Sequence, residues 1–285
     1  MKLWLCLMVC SILAAQQAPQ QEPPPTAPPP IQNQTPAPRP AVLPQGPEDI
    51  DRMLSVSAYD WLPSGGPKLR GGTFAPTTPS HDLKLPQKPS RGYGAMLTFP
   101  AKGSTRVEIS YESLYDRGNA LAPRDVGLFG ATIAKGEPLD MNYDLSHLKV
   151  SWNYLTYPNP PQDAKFRFKT LWEFHYLKVK PTVVLTATAP DLPVTEKLSI
   201  FIPAVGAGIE YVPSRHFRME VRASGMGWPK RSALGDGEAT AVLRVRSLEI
   251  FAGGKGLYFR TSPKKETYVQ GVLWGPFGGV RWVFK

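Results

Sequence analysis

The segment Tyr268-Val-Gln-Gly-Val-Leu-Trp-Gly-Pro-Phe-Gly-Gly-Val-Arg-Trp-Val-Phe284 decides how the rest of the chain is read. It closes on Val280, Trp282 and Phe284, with Gly279, Arg281 and Val283 between them. Successive side chains of a strand point to opposite faces, so a period of two sets a large apolar face against one of small and charged residues. A strand of that kind, with an aromatic almost at the carboxyl end, fits the wall of a barrel whose outer face meets lipid.

The same alternation recurs upstream. Met53 to Trp61 reads as a strand, as do Arg91 to Phe99 and the segment holding Val107, Ile109 and Tyr111 against Arg106, Glu108 and Glu112. Leu148, Val150, Trp152 and Tyr154 oppose Lys149, Ser151 and Asn153. The clearest case puts Phe166, Phe168, Trp172, Phe174 and Tyr176 on one face, with Lys165, Arg167, Lys169, Glu173 and His175 on the other. Four further strands carry Phe201 to Tyr211, Phe217 to Val221, Ala239 to Val245 and Leu248 to Tyr258 outward. Their inner faces hold Glu210, Arg218, Glu220, Arg222, Glu238, Arg244, Glu249 and Lys255.

The predicted fold is all-β: an antiparallel, transmembrane, up-and-down barrel of about ten strands, with eight or twelve also compatible. Connections alternate in length. Those at Lys102–Ser104, Pro158–Asp163, Ser214–Arg215 and Arg246–Ser247 are short, whereas Leu62–Ser90, Asp116–Leu145, Pro181–Lys197, Gly227–Gly237 and Thr261–Glu266 are longer. Short turns on a periplasmic rim and long loops on an extracellular one give an even strand number and leave both termini on the periplasmic side. Closure is required because backbone polar groups find no water in hydrocarbon.

Upstream of the barrel, residues 1–18 read as a secretory signal peptide: Lys2 precedes an apolar run from Leu3 to Ala14, too short to span a bilayer. Both cysteines, Cys6 and Cys10, lie inside it, so the mature chain has no disulfide framework. Residues 19–49, with proline triplets at Pro23–Pro25 and Pro28–Pro30, read as a disordered periplasmic linker. The barrel domain takes residues 50–285. A net charge of +10 raises nucleic acid as a partner, but no such motif is present; outer-membrane lipids and lipopolysaccharide phosphates suit a secreted basic chain better.

Tyr93, Trp152, Tyr154, Trp172, Tyr176, Tyr211, Tyr258, Trp274 and Trp282 are the expected membrane girdle, where rings put a polar tip among headgroups. The lumen is expected to hold Arg106, Glu108, Lys149, Lys165, Arg167, Lys169, Glu173, His175, Arg218, Glu220, Arg222, Arg244, Lys255 and Arg281, with cations in excess. Paired charges in a barrel this narrow obstruct it. Glu173 and His175, two apart on one face, could share a proton or join Glu210 or Glu249 around a metal. An interior polar pair satisfied by its neighbours is the simpler reading, so no metal, cofactor or catalytic residue is assigned. Asp140, Asn142 and Asp144 begin like a calcium loop, but Leu145 stands where glycine should follow, and the segment reads as a polar loop.

Over Ile50 to Lys285 the chain resembles the outer-membrane β-barrel proteins of Gram-negative bacteria. Its terminal Gly279-Val-Arg-Trp-Val-Phe-Lys285 resembles the signal read by the barrel-assembly machinery, with Val280, Trp282 and Phe284 as the signal residues. Ser151-Trp-Asn-Tyr-Leu-Thr-Tyr-Pro158 and Arg260-Thr-Ser-Pro-Lys-Lys-Glu-Thr-Tyr268 are similar to segments of uncharacterised barrel proteins. The resemblance implies an outer-membrane location, and no activity comes with it. Lipases of the class use a His-x-Ser-Asn type motif, which neither His175-Tyr-Leu177 nor His216-Phe-Arg218 matches. An omptin-like protease needs a His and acidic groups at the extracellular rim, for which His81 with Asp82, Asp60, Asp116, or Asp144 with His147 are the candidates. The expected function is structural or adhesive, or that of a narrow, slightly anion-favouring channel with a mostly plugged lumen. An outer-membrane hydrolase and a soluble lipocalin-like binder are the alternatives.

Overall fold

A computed structural model describes residues 53–70, 82–85, 91–101, 105–128, 131–156, 165–185, 189–228, 231–262 and 268–284. The expected signal peptide and proline-rich linker lie outside them, as do His81 and two of the expected short turns, Lys102–Ser104 and Pro158–Asp163.

Fifteen strands follow in chain order: β1 (Ser55–Trp61), β2 (Lys68–Arg70), β3 (Leu83–Lys84), β4 (Arg91–Pro100), β5 (Thr105–Leu121), β6 (Val126–Leu128), β7 (Ala131–Ile133), β8 (Pro138–Thr156), β9 (Phe166–Leu185), β10 (Ala189–Thr195), β11 (Leu198–Ser214), β12 (Phe217–Gly227), β13 (Ala233–Val245), β14 (Leu248–Arg260) and β15 (Tyr268–Val283). The wall runs β1-β4-β5-β8-β9-β11-β12-β13-β14-β15, and antiparallel pairing of β15 with β1, from Ser55↔Val283 to Trp61↔Phe277, closes it. These are the ten expected strands, in the expected order. The added pieces are a β2–β3 hairpin on β15, β10 on β9, and a separate β6–β7 hairpin.

The outer face carries the aromatics. Trp152, Trp172, Phe174, Phe201 and Trp282 are each more than half exposed, while His175, Glu210 and Lys169 are almost fully buried. A soluble lipocalin-like barrel needs the reverse, so that alternative is set aside. On β9 the apolar belt runs outward from Phe166 to Tyr176 and ends where Lys178 is exposed. Ten residue steps span about 33 Å of strand, or about 25 Å of depth at a tilt of about 40°, the height of a barrel's hydrocarbon band.

Asp116 to Leu145, expected as a long loop, is largely strand. β5 and β8 stay paired from Thr105↔Tyr154 up to Leu121↔Pro138, and β9 rises beside them to Leu139↔Leu185. Above the belt the outer face turns polar, with Asp144 exposed and Arg117 bound to Asp140 at 2.5 Å. The inner face there is apolar: Leu114, Leu139, Met141, Tyr143 and Leu145 are all buried. Periodicity survives while the faces exchange character, because outside the bilayer the solvent lies on the other side. Reading polar outward residues as a loop missed this.

The interior therefore has two layers. Toward the loop rim, Leu145, Leu177, Ile200, Ile202, Leu257, Phe259 and Leu273 pack with Trp61 of β1, Leu69 of β2 and Leu83 of β3 into one apolar core. Each such side chain stabilises by about 1.5–3 kcal/mol when removed from water. Toward the turn rim the interior is ionic. The expectation of a charged lumen holds for that half, and β15 itself shows the change, with Leu273 and Phe277 inward on the loop side of Arg281.

Candidate functional site

The ionic layer is built from inward positions on nearly every strand. On the turn side, Arg167 lies 2.8 Å from Glu210, which Arg218 also approaches at 3.2 Å. Lys169 joins Glu220 at 2.7 Å, and Arg218 and Arg281 meet on Glu249 at 3.0 and 3.1 Å. Arg106 sits 3.2 Å from Glu108, and Arg222 bridges Glu108 and Glu238 at 2.6 and 2.9 Å. Several pairs cross the lumen between strands that are not neighbours: Arg222–Glu108 joins β12 to β5, Lys255–Glu112 joins β14 to β5 at 2.6 Å, and Lys149–Asp236 joins β8 to β13 at 2.5 Å.

Among the expected lumen charges, Lys165 is displaced: it precedes β9 and is exposed at the turn rim. Its parity is right, but the wall begins one residue later. The expected cation excess also shrinks, because Asp236, half-buried Glu238 and the other carboxylates meet most of the basic groups. The cavity at the middle of this layer, between Tyr59, Glu108, Lys149, Arg222, Lys255 and Phe277, holds about 30 Å³, room for a water or two.

Above this lies a relay. Nδ1 of His147 is 2.7 Å from Oε1 of Glu112, Nε2 of His147 is 2.9 Å from Nδ1 of His175, and Nε2 of His175 is 3.0 Å from Oε2 of Glu173. Ser151 donates to Glu173 at 2.8 Å, and Ser224 donates to the same carboxylate. Lys255 and Tyr59 both donate to Oε2 of Glu112, at 2.6 and 3.2 Å. Tyr59 lies flat across its neighbour in the wall because that neighbour is Gly94, where a Cβ would overlap the ring.

Glu173 and His175 thus meet as their spacing suggests, but Glu210 and Glu249, bound to arginines, do not join them. Asp236 does. One ligand atom from each of Glu173, His175 and Asp236 lies within 4.8 Å of the other two. Asp236 was missed because it fell in the expected loop Gly227–Gly237, and His147, just ahead of the expected strand from Leu148, was placed at the extracellular rim and not in the lumen. His147 faces the lumen, buried, while Asp144 faces out, so the suggested Asp144–His147 pair does not form. Asp140 is likewise a strand residue held by Arg117, not part of a loop. His147 shares the inward parity of Lys149, Ser151 and Asn153 along β8, and that was the signal that could have found it.

Of the expected girdle, Tyr93, Trp152, Tyr154, Trp172, Tyr176, Trp274 and Trp282 are exposed on the outer wall, while Tyr211 and Tyr258 are half-covered. Val280, Trp282 and Phe284 share that outer face. Asp60 is held by Arg91 at 2.5 Å and Asp82 lies 3.5 Å from Arg70. His216 sits in the turn between β11 and β12, on the opposite rim, so no histidine among the described residues joins those acids.

No family model matches the chain, and no curated protein matches it. The solved structures it resembles include outer-membrane barrels of Gram-negative bacteria. The outer membrane protease OmpT of Escherichia coli aligns at a TM-score of 0.56 and 8% identity, over 81% of this chain and 97% of that one. The transport unit of the autotransporter AIDA-I of Escherichia coli gives 0.41 at 9% identity, covering 86% of this chain and 94% of that one. The attachment invasion locus protein Ail of Yersinia pestis gives 0.35 at 10%, covering 80% and 99%. At such identity the likeness to OmpT is one of fold: the chain is an all-β, closed, ten-stranded antiparallel barrel of the outer-membrane kind.

Proposed function

We propose that this chain is a non-conducting outer-membrane barrel, structural or adhesive in role, that holds the β5–β8–β9 sheet above the bilayer as its working surface. On this reading the turn rim is periplasmic and the sheet extracellular. The signal peptide and the Val280, Trp282, Phe284 terminus would deliver the chain to the barrel-assembly machinery. Exposed Lys178, just beyond Tyr176, suits the phosphates of lipopolysaccharide.

The observation that carries this reading is the filled interior. An apolar core and a cross-braced ionic layer lie in series, and the cavity inside the ionic layer holds about 30 Å³. A channel needs a continuous wet path, and the near balance of fixed charge removes the reason to favour anions. A hydrolase of the rim type would have to draw its histidine from His81, which lies outside the described residues.

The test is reconstitution into planar bilayers together with cysteine labelling of intact cells. No current steps, and labelling of cysteines placed at Arg117 and Asp144 by an impermeant reagent, are the expected results. Stable ion currents would overturn the non-conducting reading. Peptide or lipid hydrolysis abolished by His81→Ala would replace it with an enzyme.

A further inference from the structure

The hydrogen-bond count along the buried relay is incomplete. Glu112, His147, His175 and Glu173 make three successive contacts, at 2.7, 2.9 and 3.0 Å. Each contact needs a proton between its two heavy atoms, but two neutral imidazoles carry one N–H apiece. If His147 donates from Nδ1 to Glu112, and His175 donates from Nδ1 to His147, then Nε2 of His175 turns a lone pair toward an ionised carboxylate. That last contact then requires a cation; in the reverse arrangement, with His175 donating from Nε2 to Glu173 and His147 from Nε2 to His175, the contact without a proton is His147–Glu112.

A proton would satisfy the Glu173–His175 contact alone. Oδ1 of Asp236, buried and with no hydrogen-bond partner, would gain nothing from it. A metal ion would take all three groups. We infer that Glu173, His175 and Asp236 bind one divalent transition-metal cation of the zinc class inside the barrel. One ligand atom from each lies within 4.8 Å of the others, and donors at about 2.0–2.2 Å from an ion in a tetrahedral site stand about 3.3–3.6 Å apart, so binding draws the three together by up to about 1.5 Å.

Donor chemistry sets the class of ion. One imidazole nitrogen with two carboxylates suits zinc and its neighbours, whereas calcium asks for six or more oxygens. The rest of the relay is the outer support such a site uses: His147 accepts from Nδ1 of His175 and passes the bond to Glu112, fixing the ligand's tautomer and ring plane. Lys149 opposes the ion. Its ammonium, 2.5 Å from Oδ2 of Asp236, competes for the same carboxylate. The site is independent of whether the barrel is adhesive.

The test uses the full mature chain, refolded in detergent, treated with chelator and titrated with Co²⁺ and Zn²⁺. Bound metal is measured by mass spectrometry and by the visible absorption of tetrahedral Co²⁺, and folding is checked by heat-dependent gel mobility. About one equivalent should bind, with His216→Ala unchanged. Asp236→Asn and His175→Gln should abolish binding at micromolar metal, and His147→Ala should weaken it by about 10–100-fold while keeping one equivalent. Lys149→Met keeps all three ligands and removes the competing cation, so it should tighten binding at least tenfold and decides the matter if the other variants fail to refold. Substoichiometric binding by the wild-type barrel, binding that survives Asp236→Asn, or an unchanged affinity in Lys149→Met would overturn the site.

Discussion

Arg222 on β12 reaches Glu108 on β5, Nη1 to Oε2 at 2.6 Å, although β8, β9 and β11 stand between those strands in the wall. A bond across the lumen acts as a strut, coupling opposite walls that share no backbone ladder. Both groups are buried, so neither can turn to bulk solvent if its partner is lost.

Removing one end of this strut should therefore cost more than removing both. Arg222→Met alone is expected to destabilise by about 3–5 kcal/mol, since it takes the arginine from Glu238 and leaves Glu108 with Arg106 alone. Arg222→Met with Glu108→Leu should recover about half or more of that loss. Urea unfolding of the refolded barrel, followed by tryptophan fluorescence, measures both; equal losses would show that the strut carries no coupling.

Gly94 is expected to tolerate no side chain without moving Tyr59. Gly94→Val should release the Tyr59 ring from Glu112 and cost about 1–3 kcal/mol, as overpacking commonly does. Tyr59→Phe, which removes only the hydroxyl's bond to Glu112, should cost about 1 kcal/mol. A Gly94→Val barrel as stable as wild type would contradict the packing described.

Depth along β9 gives a graded expectation. Phe174→Arg, inside the apolar belt, should cost about 1–4 kcal/mol of stability in vesicles, whereas Lys178→Ala, above it, should cost almost nothing. Similar costs at the two positions would mean that the belt lies elsewhere.

The apolar layer and the ionic layer should fail independently. Leu145→Ala, fully buried among Leu177, Met141 and its neighbours, should lose about 2–5 kcal/mol through the cavity it leaves. It should still pass no current, because the struts beneath it remain. Current through this variant would show that the apolar layer alone seals the barrel.

The ten wall strands, their antiparallel order and their two faces were legible in the chain, because a period of two is a local property and hydrocarbon outside the wall imposes it at every step. Phe166 to Tyr176 shows it without ambiguity. The same logic misled above the belt. There Asp140, Asn142 and Asp144 face water from the outer side of β8, and a rule tuned to lipid reads polar outward residues as a loop.

Which charge meets which was not legible. Alternation places Glu112, Lys149, Glu173, His175 and Lys255 inside, and it does so correctly. Whether Lys255 meets Glu112, or Lys149 meets Asp236, depends on how far each strand is sheared against the next and on which walls face each other once β15 pairs with β1. Those are sums over the whole closed sheet, so the residues determine the faces while closure of the barrel decides the partners.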